Sequence, residues 1–173
     1  MPYILALRTQ HQAVARCGLL RHRPTPGDFS TRKPPVTTAA LVPAAFRTIV
    51  DPRGRLTVVE GAAVPFPIKR VFFISDVVPG GERGGHAHRE LHQFIVCQTG
   101  ALTVTVDDGR GEPVGIRLSP GQGLHVPPMW WAVEREFAAG TVYLVLASHP
   151  YDERDYFRDR ADFIAAVASA GSR

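Results

Sequence analysis

The sequence is poor in cysteine, with only Cys17 and Cys97 among its 173 residues. Small secreted domains usually rely on several disulfides, so this shortage argues against that class of protein. Cys97 ends an apolar segment, and buried free thiols behave as small apolar side chains. We therefore expect Cys97 to be a core thiol, and we predict a cytoplasmic location.

Long apolar runs are missing as well. No stretch of 18 or more apolar residues occurs, which argues against a transmembrane helix, and we predict no membrane partner. A chain of this length is one domain by default and is long enough to bury a core of its own. Its apolar content of 45% is ordinary for a soluble globular domain.

Acidic residues are scarce in the first part of the chain. Residues 1–45 contain six Lys or Arg and a single acid, Asp28, whereas residues 46–173 contain 14 basic and 15 acidic residues, a net charge of −1. The positive balance therefore belongs to the N-terminal segment. Because a nucleic-acid-binding domain needs a basic face on its folded part, we predict no nucleic-acid partner.

The N-terminal segment is also rich in proline, notably in residues 21–28 and 32–38. Proline fixes φ and removes a backbone donor, which argues against a helix or a core strand. We predict that residues 1–45 are a disordered Arg/Pro-rich extension and that residues 46–173 form the folded domain. Transit peptides share this composition, but an extension without a targeting role is the simpler interpretation.

From about Arg47 onward, short runs of β-branched, aromatic and aliphatic residues alternate with Gly, Pro and Asp. We predict strands over 55–60, 68–75, 91–97, 101–106, 114–118, 123–126 and 141–147. One helix is predicted over 158–170, where Phe163, Ile164 and Val167 form an apolar stripe. Strands about ten residues apart with no helices between them indicate an all-β sandwich or barrel.

One stretch carries the functional signal. His86 and His88 stand two apart, and in an extended strand such residues project from the same face. Gly80 precedes the pair, and Gln93 and Gly100 follow it. This spacing resembles the first motif of the cupin superfamily, Gly-x5-His-x-His-x3–4-Glu-x6-Gly, and the resemblance implies a jelly-roll barrel with a short C-terminal helix.

The ligand set of a metal cupin is incomplete here. Metal-binding members of that superfamily have a Glu where this chain has Gln93, which is neutral and a poorer ligand. Their second motif supplies a third His, whereas Ala132 stands at the corresponding place. His125 is nearby, but by alternation we expect it to face outward. We therefore predict a site without metal or cofactor, and a metal-dependent cupin remains the minor alternative.

A pair of histidines on one barrel wall suits proton transfer. The reference pKa of histidine is about 6.5, so both protonation states are accessible near neutral pH, which favours general acid–base catalysis. Arg83 supplies a positive charge that can hold a phosphate or a developing oxyanion. The alternative is that one histidine merely hydrogen-bonds a loop.

Several further pieces resemble one cupin family closely, the sugar 3,4-ketoisomerases or WxcM-like proteins. The matching pieces are Asp51–Leu56, Pro65–Val71, Arg83–His88, Gln93–Cys97, Asp107–Gly109, Val145–Ser148 and Tyr151–Tyr156. They cover the chain from about 47 to 165. The resemblance implies a homodimeric isomerase that acts on dTDP-4-keto-6-deoxy-D-glucose without a cofactor. A base removes the C3 proton, an enediol forms, and a proton returns at C4.

The resemblance also implies roles for individual residues. His88 is the first choice for the catalytic base, and His86 is its partner. The substrate-binding residues are expected to be Arg83, Arg53, Phe73, Gln93 and Trp131.

Two departures from the family pattern leave alternatives open. Family members often have Tyr-Tyr where this chain has Phe72-Phe73, and Trp-His where it has Trp131-Ala132. Without a tyrosine hydroxyl at this point, an acid role must pass to a histidine or to water. The chain is then either an active ketoisomerase, a related dTDP-sugar epimerase, or a degenerate cupin that binds a sugar nucleotide or a partner protein without catalysis.

Overall fold

The computed structural model describes residues 41–171. The strands are β1 (Ala44–Ala45), β2 (Arg47–Asp51), β3 (Gly54–Val58), β4 (Arg70–Ile74), β5 (Arg83–His88), β6 (Gln93–Thr99), β7 (Leu102–Asp107), β8 (Val114–Leu118), β9 (Gln122–Val126), β10 (Trp131–Arg135), β11 (Val142–Ala147) and β12 (Tyr156–Phe157). Helix α1 (Arg160–Gly171) follows them. The predicted all-β fold with a short C-terminal helix is confirmed.

Two five-stranded antiparallel sheets form the body of the domain. One has the order β1-β9-β6-β11-β4 and the other the order β12-β5-β10-β7-β8, while β2 and β3 form a separate hairpin. The main core lies between the two large sheets and takes Ile95 and Leu124 from the first and Leu102 and Val104 from the second. These non-sequential strand orders are those of a jelly roll.

Strand β6 explains why the central sequence is almost continuously apolar. Ile95 and Cys97 point into the main core, as predicted for the thiol. Phe94 and Val96 point the other way, into a second apolar cluster beneath the loop that contains Val64. Because both faces of this strand are covered, the alternation of apolar and polar residues disappears.

All seven predicted strands are present, with ends that shift by up to two residues. Strands β1, β2, β10 and β12 were not among the predictions, and β5 was expected only as the strand of the histidine pair. In β10 the interior position Glu134 has a carboxyl group and is only 6% exposed, so the strand lacks the apolar face that a sequence pattern would need.

The folded part begins earlier than residue 46. Strand β1 pairs with β9, and Leu41 packs into the main core. The predicted disordered extension lies, over residues 1–40, outside the described residues and stays a prediction.

The C-terminal helix packs against the outer face of β5. Phe163 and Val167 are buried there with Ala87 and Phe157, as the stripe predicted. Ile164 was assigned to the same stripe but is 38% exposed, because it lies one residue round from the buried face. Over residues 41–171, no helix is long and apolar enough to cross a membrane.

Candidate active site

The two histidines of β5 face the space between the sheets, as their spacing predicted. Their rings meet edge to face with centroids 4.9 Å apart, and His88 is only 4% exposed. Ala132 is the strand partner of His86 on β10, so no third imidazole stands opposite the pair. His125 faces the outer cluster, where it stacks on Phe94, which confirms its predicted orientation.

Both ring nitrogens of His88 are occupied. Nδ1 lies 2.9 Å from Oδ2 of Asp155, and Nε2 lies 3.2 Å from the amide nitrogen of Gln93. A carboxylate only accepts hydrogen bonds, so Nδ1 carries the proton and Nε2 accepts from the Gln93 amide. The other oxygen of Asp155 accepts from the backbone N–H of Glu90 at 2.8 Å, which fixes the carboxylate. His88 is therefore held as one neutral tautomer.

Both histidines are uncharged at neutral pH. Burial lowers the pKa of His88 to about 4, and the neighbouring His86 acts in the same direction, while the hydrogen bond to Asp155 opposes them. Burial also lowers the pKa of His86, and the nearby carbonyl of Gly84 opposes this shift. A neutral imidazole has a lone pair available to accept a proton.

His86 differs from His88 in its hydrogen bonding. Within the described chain, Nδ1 of His86 is buried without a hydrogen-bond partner, and the only protein group that acts on the ring as an acceptor is the backbone of Gly84. An unpaired buried nitrogen is costly for a purely structural histidine. Of the two imidazoles, His86 is the one whose nitrogens remain available to a substrate.

Aromatic residues from the segment after β11 cover the histidines. The ring of Tyr156 lies 4.3 Å from that of His88 and 5.0 Å from that of His86. This placement follows from strand pairing, since Tyr156 is the partner of His88 across β12 and β5. The guanidinium of Arg158 lies 4.2 Å from the other side of the Tyr156 ring.

A cavity of about 330 Å³ opens beside Tyr156. It is lined by Arg70, Val71, Phe72, Tyr151 and Tyr156. Among the described residues, Nε and Nη2 of Arg70 are buried without a hydrogen-bond partner. Because a buried cation without a partner is costly, this guanidinium is prepared to receive an anion or a carbonyl oxygen.

A larger cavity of about 520 Å³ shares Tyr151 with the first one. In its lining, Arg154 binds both oxygens of Asp152, and Arg89 donates to the backbone carbonyl of Arg154. We assign the reactive site to the smaller cavity because Tyr156 connects it to both histidines.

Three of the predicted site residues lie apart from the histidine pair or serve it indirectly. Gln93 is buried and hydrogen-bonds His88, which gives it a supporting position. Arg83 is exposed at the start of β5, across from Glu134. Arg53 is bound to Asp51 in the turn of the β2–β3 hairpin.

The predicted pocket positions of Phe73 and Trp131 need correction. Phe73 is 72% exposed, because Phe72 takes the inward position on β4 and neighbouring residues on a strand face opposite ways. Trp131 points away from the barrel interior, since its strand neighbour Ala132 faces inward. Its ring packs on Phe163 of the helix, with centroids 5.7 Å apart.

Sequence reasoning missed three residues of the site, Arg70, Asp155 and Tyr156. All three lie in segments that match the family pattern, but no role was assigned to them. Alternation on β4 places Arg70 on the same face as Phe72, and this signal was available. The contacts of Asp155 and Tyr156 depend on the pairing of β12 with β5, which no local pattern predicts.

The fold and the site together define a class of protein: a small cupin-type jelly roll with a histidine pair on its inner wall. The model of the FdtA family, described as WxcM-like, C-terminal, matches residues 42–168. The chain therefore belongs to this family, as the motifs predicted.

Relatives of named activity support this assignment. A curated TDP-4-oxo-6-deoxy-alpha-D-glucose-3,4-oxoisomerase from Aneurinibacillus thermoaerophilus is 40% identical over 124 residues, which are 71% of this chain and 89% of that protein. A sugar 3,4-ketoisomerase from Thermoanaerobacterium thermosaccharolyticum, whose structure is known in complex with TDP, is 35% identical in sequence. The match has a TM-score of 0.72 and covers 78% of this chain and 98% of that enzyme's chain. A mutant from the same organism in complex with TDP-4-keto-6-deoxyglucose is 36% identical, with a TM-score of 0.70 over 75% of this chain and 94% of its own.

Proposed function

We propose that this protein is a 3,4-ketoisomerase of TDP-linked sugars and acts on TDP-4-keto-6-deoxy-D-glucose. The observation that carries the proposal is the pair of neutral histidines, His88 buried and His86 half-buried, beside a cavity with an unpaired arginine. Moving a carbonyl from C4 to C3 needs a base for the C3 proton and a group that stabilises charge on oxygen. The named relatives support the choice of substrate.

His86 is the catalytic base in this proposal, and His88 is its positioning partner. The family resemblance implied the opposite assignment, with His88 as the base and His86 as its partner. The reason for the change is that Asp155 and Gln93 already occupy the nitrogens of His88, whereas no side chain of the described residues occupies those of His86, and its Nδ1 is buried without a hydrogen-bond partner. A general base must reach the proton it removes with a free lone pair.

The proton transfer proceeds in two stages. The C3–H bond breaks, its proton passes to His86, and its electrons form the C3=C4 bond of an enediol as O4 gains a proton. The protonated His86 then returns the proton to C4 while O3 loses its proton and becomes the carbonyl oxygen. Substrate and product have the same atoms, so no oxidant or reductant is consumed.

Arg70 binds the sugar oxygens or the negative charge that develops on them. Its two unpaired nitrogens lie in the cavity wall, and its position next to Phe72 and Tyr151 fixes the guanidinium in place. Arg83 is exposed and is proposed to bind the diphosphate end of the substrate. Arg53 has the same proposed role and would have to leave Asp51 to perform it.

We also propose that the protein is a homodimer. The β2–β3 hairpin forms a sheet of its own and exposes Ile49, Val50 and Leu56 by 41%, 67% and 59%. The edge strand β4 exposes Val71 by 54% and Phe73 by 72%. Apolar side chains grouped on a free edge favour association with a second copy. Light scattering coupled to size exclusion measures the mass directly, and a monomer at micromolar concentration contradicts this part.

The predicted cytoplasmic location stays a proposal, supported by the free and buried thiol of Cys97. The prediction that no metal or cofactor takes part also stays a proposal. It is supported by His88, whose nitrogens are both engaged by protein groups and so are not free to bind a metal ion.

The test is incubation of the purified protein with TDP-4-keto-6-deoxy-D-glucose, followed by proton NMR. We expect a product whose carbonyl lies at C3 and whose C4 carries a proton. A 4-keto product inverted at another carbon would identify an epimerase instead. Unchanged substrate together with measurable binding of TDP would identify a sugar-nucleotide-binding protein without this activity.

A further inference from the structure

The proposed reaction needs a proton donor for O4, and the cavity wall lacks one at Phe72. When the C3 proton leaves, charge develops on O4 and is relieved by a proton from a group within hydrogen-bond reach. Phe72 lines the cavity with a ring that has no polar atom. The other polar groups of this wall are Arg70, Tyr151 and Tyr156.

Two of these three are unsuited to the task. Arg70 keeps its proton at all accessible pH values and acts as a fixed charge. The hydroxyl of Tyr151 donates to Glu153, and this hydrogen bond raises the pKa of Tyr151. Tyr151 is also 61% exposed, so its hydroxyl proton is both committed and solvated.

Tyr156 has the required surroundings. It is half-buried, its ring contacts both histidines, and its pairing with His88 fixes its backbone. Among residues 41–171 its hydroxyl makes no hydrogen bond, so its proton is not committed to a protein acceptor. The guanidinium of Arg158, which is held by two hydrogen bonds to Glu153, lies 4.2 Å from the centroid of the Tyr156 ring and restrains that ring beside the histidines.

We propose that Tyr156 is the catalytic acid of this reaction and supplies the proton that Phe72, which has no hydroxyl, cannot supply. The inference rests on the proposed function. In the first stage the Tyr156 O–H bond breaks and its proton goes to O4 as His86 takes the C3 proton. In the second stage the Tyr156 oxygen takes the proton of the 3-hydroxyl, and His86 returns its own proton to C4, so both groups recover their starting states.

The experiment compares the wild type with Tyr156→Phe, with Tyr151→Phe and with two double variants of Tyr156→Phe. Tyr156→Phe keeps the ring that packs on the histidines, so the fold is preserved. We expect kcat to fall by about 100-fold or more, with KM within about threefold of the wild-type value. Adding Phe72→Tyr to Tyr156→Phe puts a hydroxyl back into the cavity, and we expect it to restore kcat by about tenfold.

The matched control adds Phe73→Tyr to Tyr156→Phe. Phe73 is the next residue on β4 but faces away from the cavity, so a hydroxyl added there cannot reach the substrate and we expect no recovery. A wild-type kcat in Tyr156→Phe overturns the inference. A fall in kcat that Phe72→Tyr does not reverse also overturns it, as does an equal recovery of kcat with Phe73→Tyr. A larger loss of kcat in Tyr151→Phe than in Tyr156→Phe also overturns it.

Different results contradict the proposed function and the role of Tyr156. A folded wild-type protein that leaves the substrate unchanged contradicts the proposed function, and this inference falls with it. An active wild type with an equally active Tyr156→Phe variant contradicts the inference alone.

Discussion

Asp155 holds His88 by a hydrogen bond of 2.9 Å between Oδ2 and Nδ1, although the two residues are 67 positions apart in the chain. The short strand β12 makes this possible, because it places the segment after β11 against the histidine strand. The contact fixes both the tautomer and the orientation of the imidazole. It also leaves His86 as the histidine that is free to accept a proton.

We expect Asp155→Ala to lower kcat by at least about tenfold, because His88 then loses its fixed tautomer and no longer supports His86. The matched control is Asp152→Ala, which removes a carboxylate that binds only the exposed Arg154. An exposed ion pair of this kind contributes little to stability because solvent screens it. Steady-state kinetics with a thermal melt of each variant makes the comparison, and an equal effect of the two substitutions on kcat would contradict the role of Asp155.

Gln93→Glu tests why an amide stands next to His88. A carboxylate at this position would accept a proton from Nε2 while Asp155 accepts one from Nδ1, and two acceptors favour the doubly protonated imidazolium. The pKa of His88 should therefore rise from about 4 toward the neutral range. Imidazole nitrogen shifts followed by NMR over pH 4–8 measure this directly. Gln93→Met removes the hydrogen bond without adding charge, and a similar rise in that variant would disprove the explanation.

Glu134→Gln tests the charge buried in β10. Burial raises the pKa of Glu134 to about 7, while Arg83 acts in the opposite direction. Between the unfolded value of 4.5 and about 7 the folded state holds a proton that the unfolded state has released, so stability falls as the pH rises through this window and is constant above it. The two buried histidines have lowered pKa values and change stability in the opposite direction at acidic pH, so only the difference between variant and wild type isolates Glu134.

We expect Glu134→Gln to gain stability relative to the wild type by roughly 3 kcal/mol between pH 4.5 and pH 8. Urea unfolding at the two pH values gives this difference. If the difference in unfolding free energy between the two proteins is the same at both pH values, folding does not raise the pKa of Glu134.

Gly84 and Gly85 precede His86 and form a matched pair for substitution. Both have positive φ, +73° and +69°, so alanine is strained at either position. A Cβ at Gly84 would also lie 2.7 Å from the carbonyl oxygen of Ala132 and 2.6 Å from Oε2 of Glu134, whereas a Cβ at Gly85 meets nothing within 4 Å.

We expect Gly85→Ala to cost about 1–2 kcal/mol through backbone strain alone, and Gly84→Ala to cost at least about 1 kcal/mol more through the added overlap. Denaturant titration of the two variants at one pH measures both. Equal destabilisation would mean that the contact with β10 does not constrain this turn.

The sequence predicted the features of the fold that depend on local patterns. The strands repeat at regular intervals, and His86 and His88 share a face because residues two apart on a strand always do. For a related reason, alternation alone could not place Phe73 relative to the cavity, and its substrate-binding role stays a prediction. Either of two adjacent aromatic residues can face inward, and the register of β4 against β11 decides between them.

The remaining features depend on contacts between distant segments. Asp155 and Tyr156 reach the histidines only through the pairing of β12 with β5. Trp131 belongs to the helix interface because the sheet order brings α1 over that face. Glu134 was not considered because a charged residue inside a barrel runs against the usual pattern of burial.

The central claim is that His86, and not His88, removes the C3 proton. Its most direct test is the rate at which C3 of TDP-4-keto-6-deoxy-D-glucose takes up deuterium in D2O, measured for the wild type, His86→Asn and His88→Asn. We predict that His86→Asn lowers this exchange by about 100-fold or more, and that His88→Asn slows it less. Exchange that persists at the wild-type rate in His86→Asn, with loss only in His88→Asn, would contradict the account.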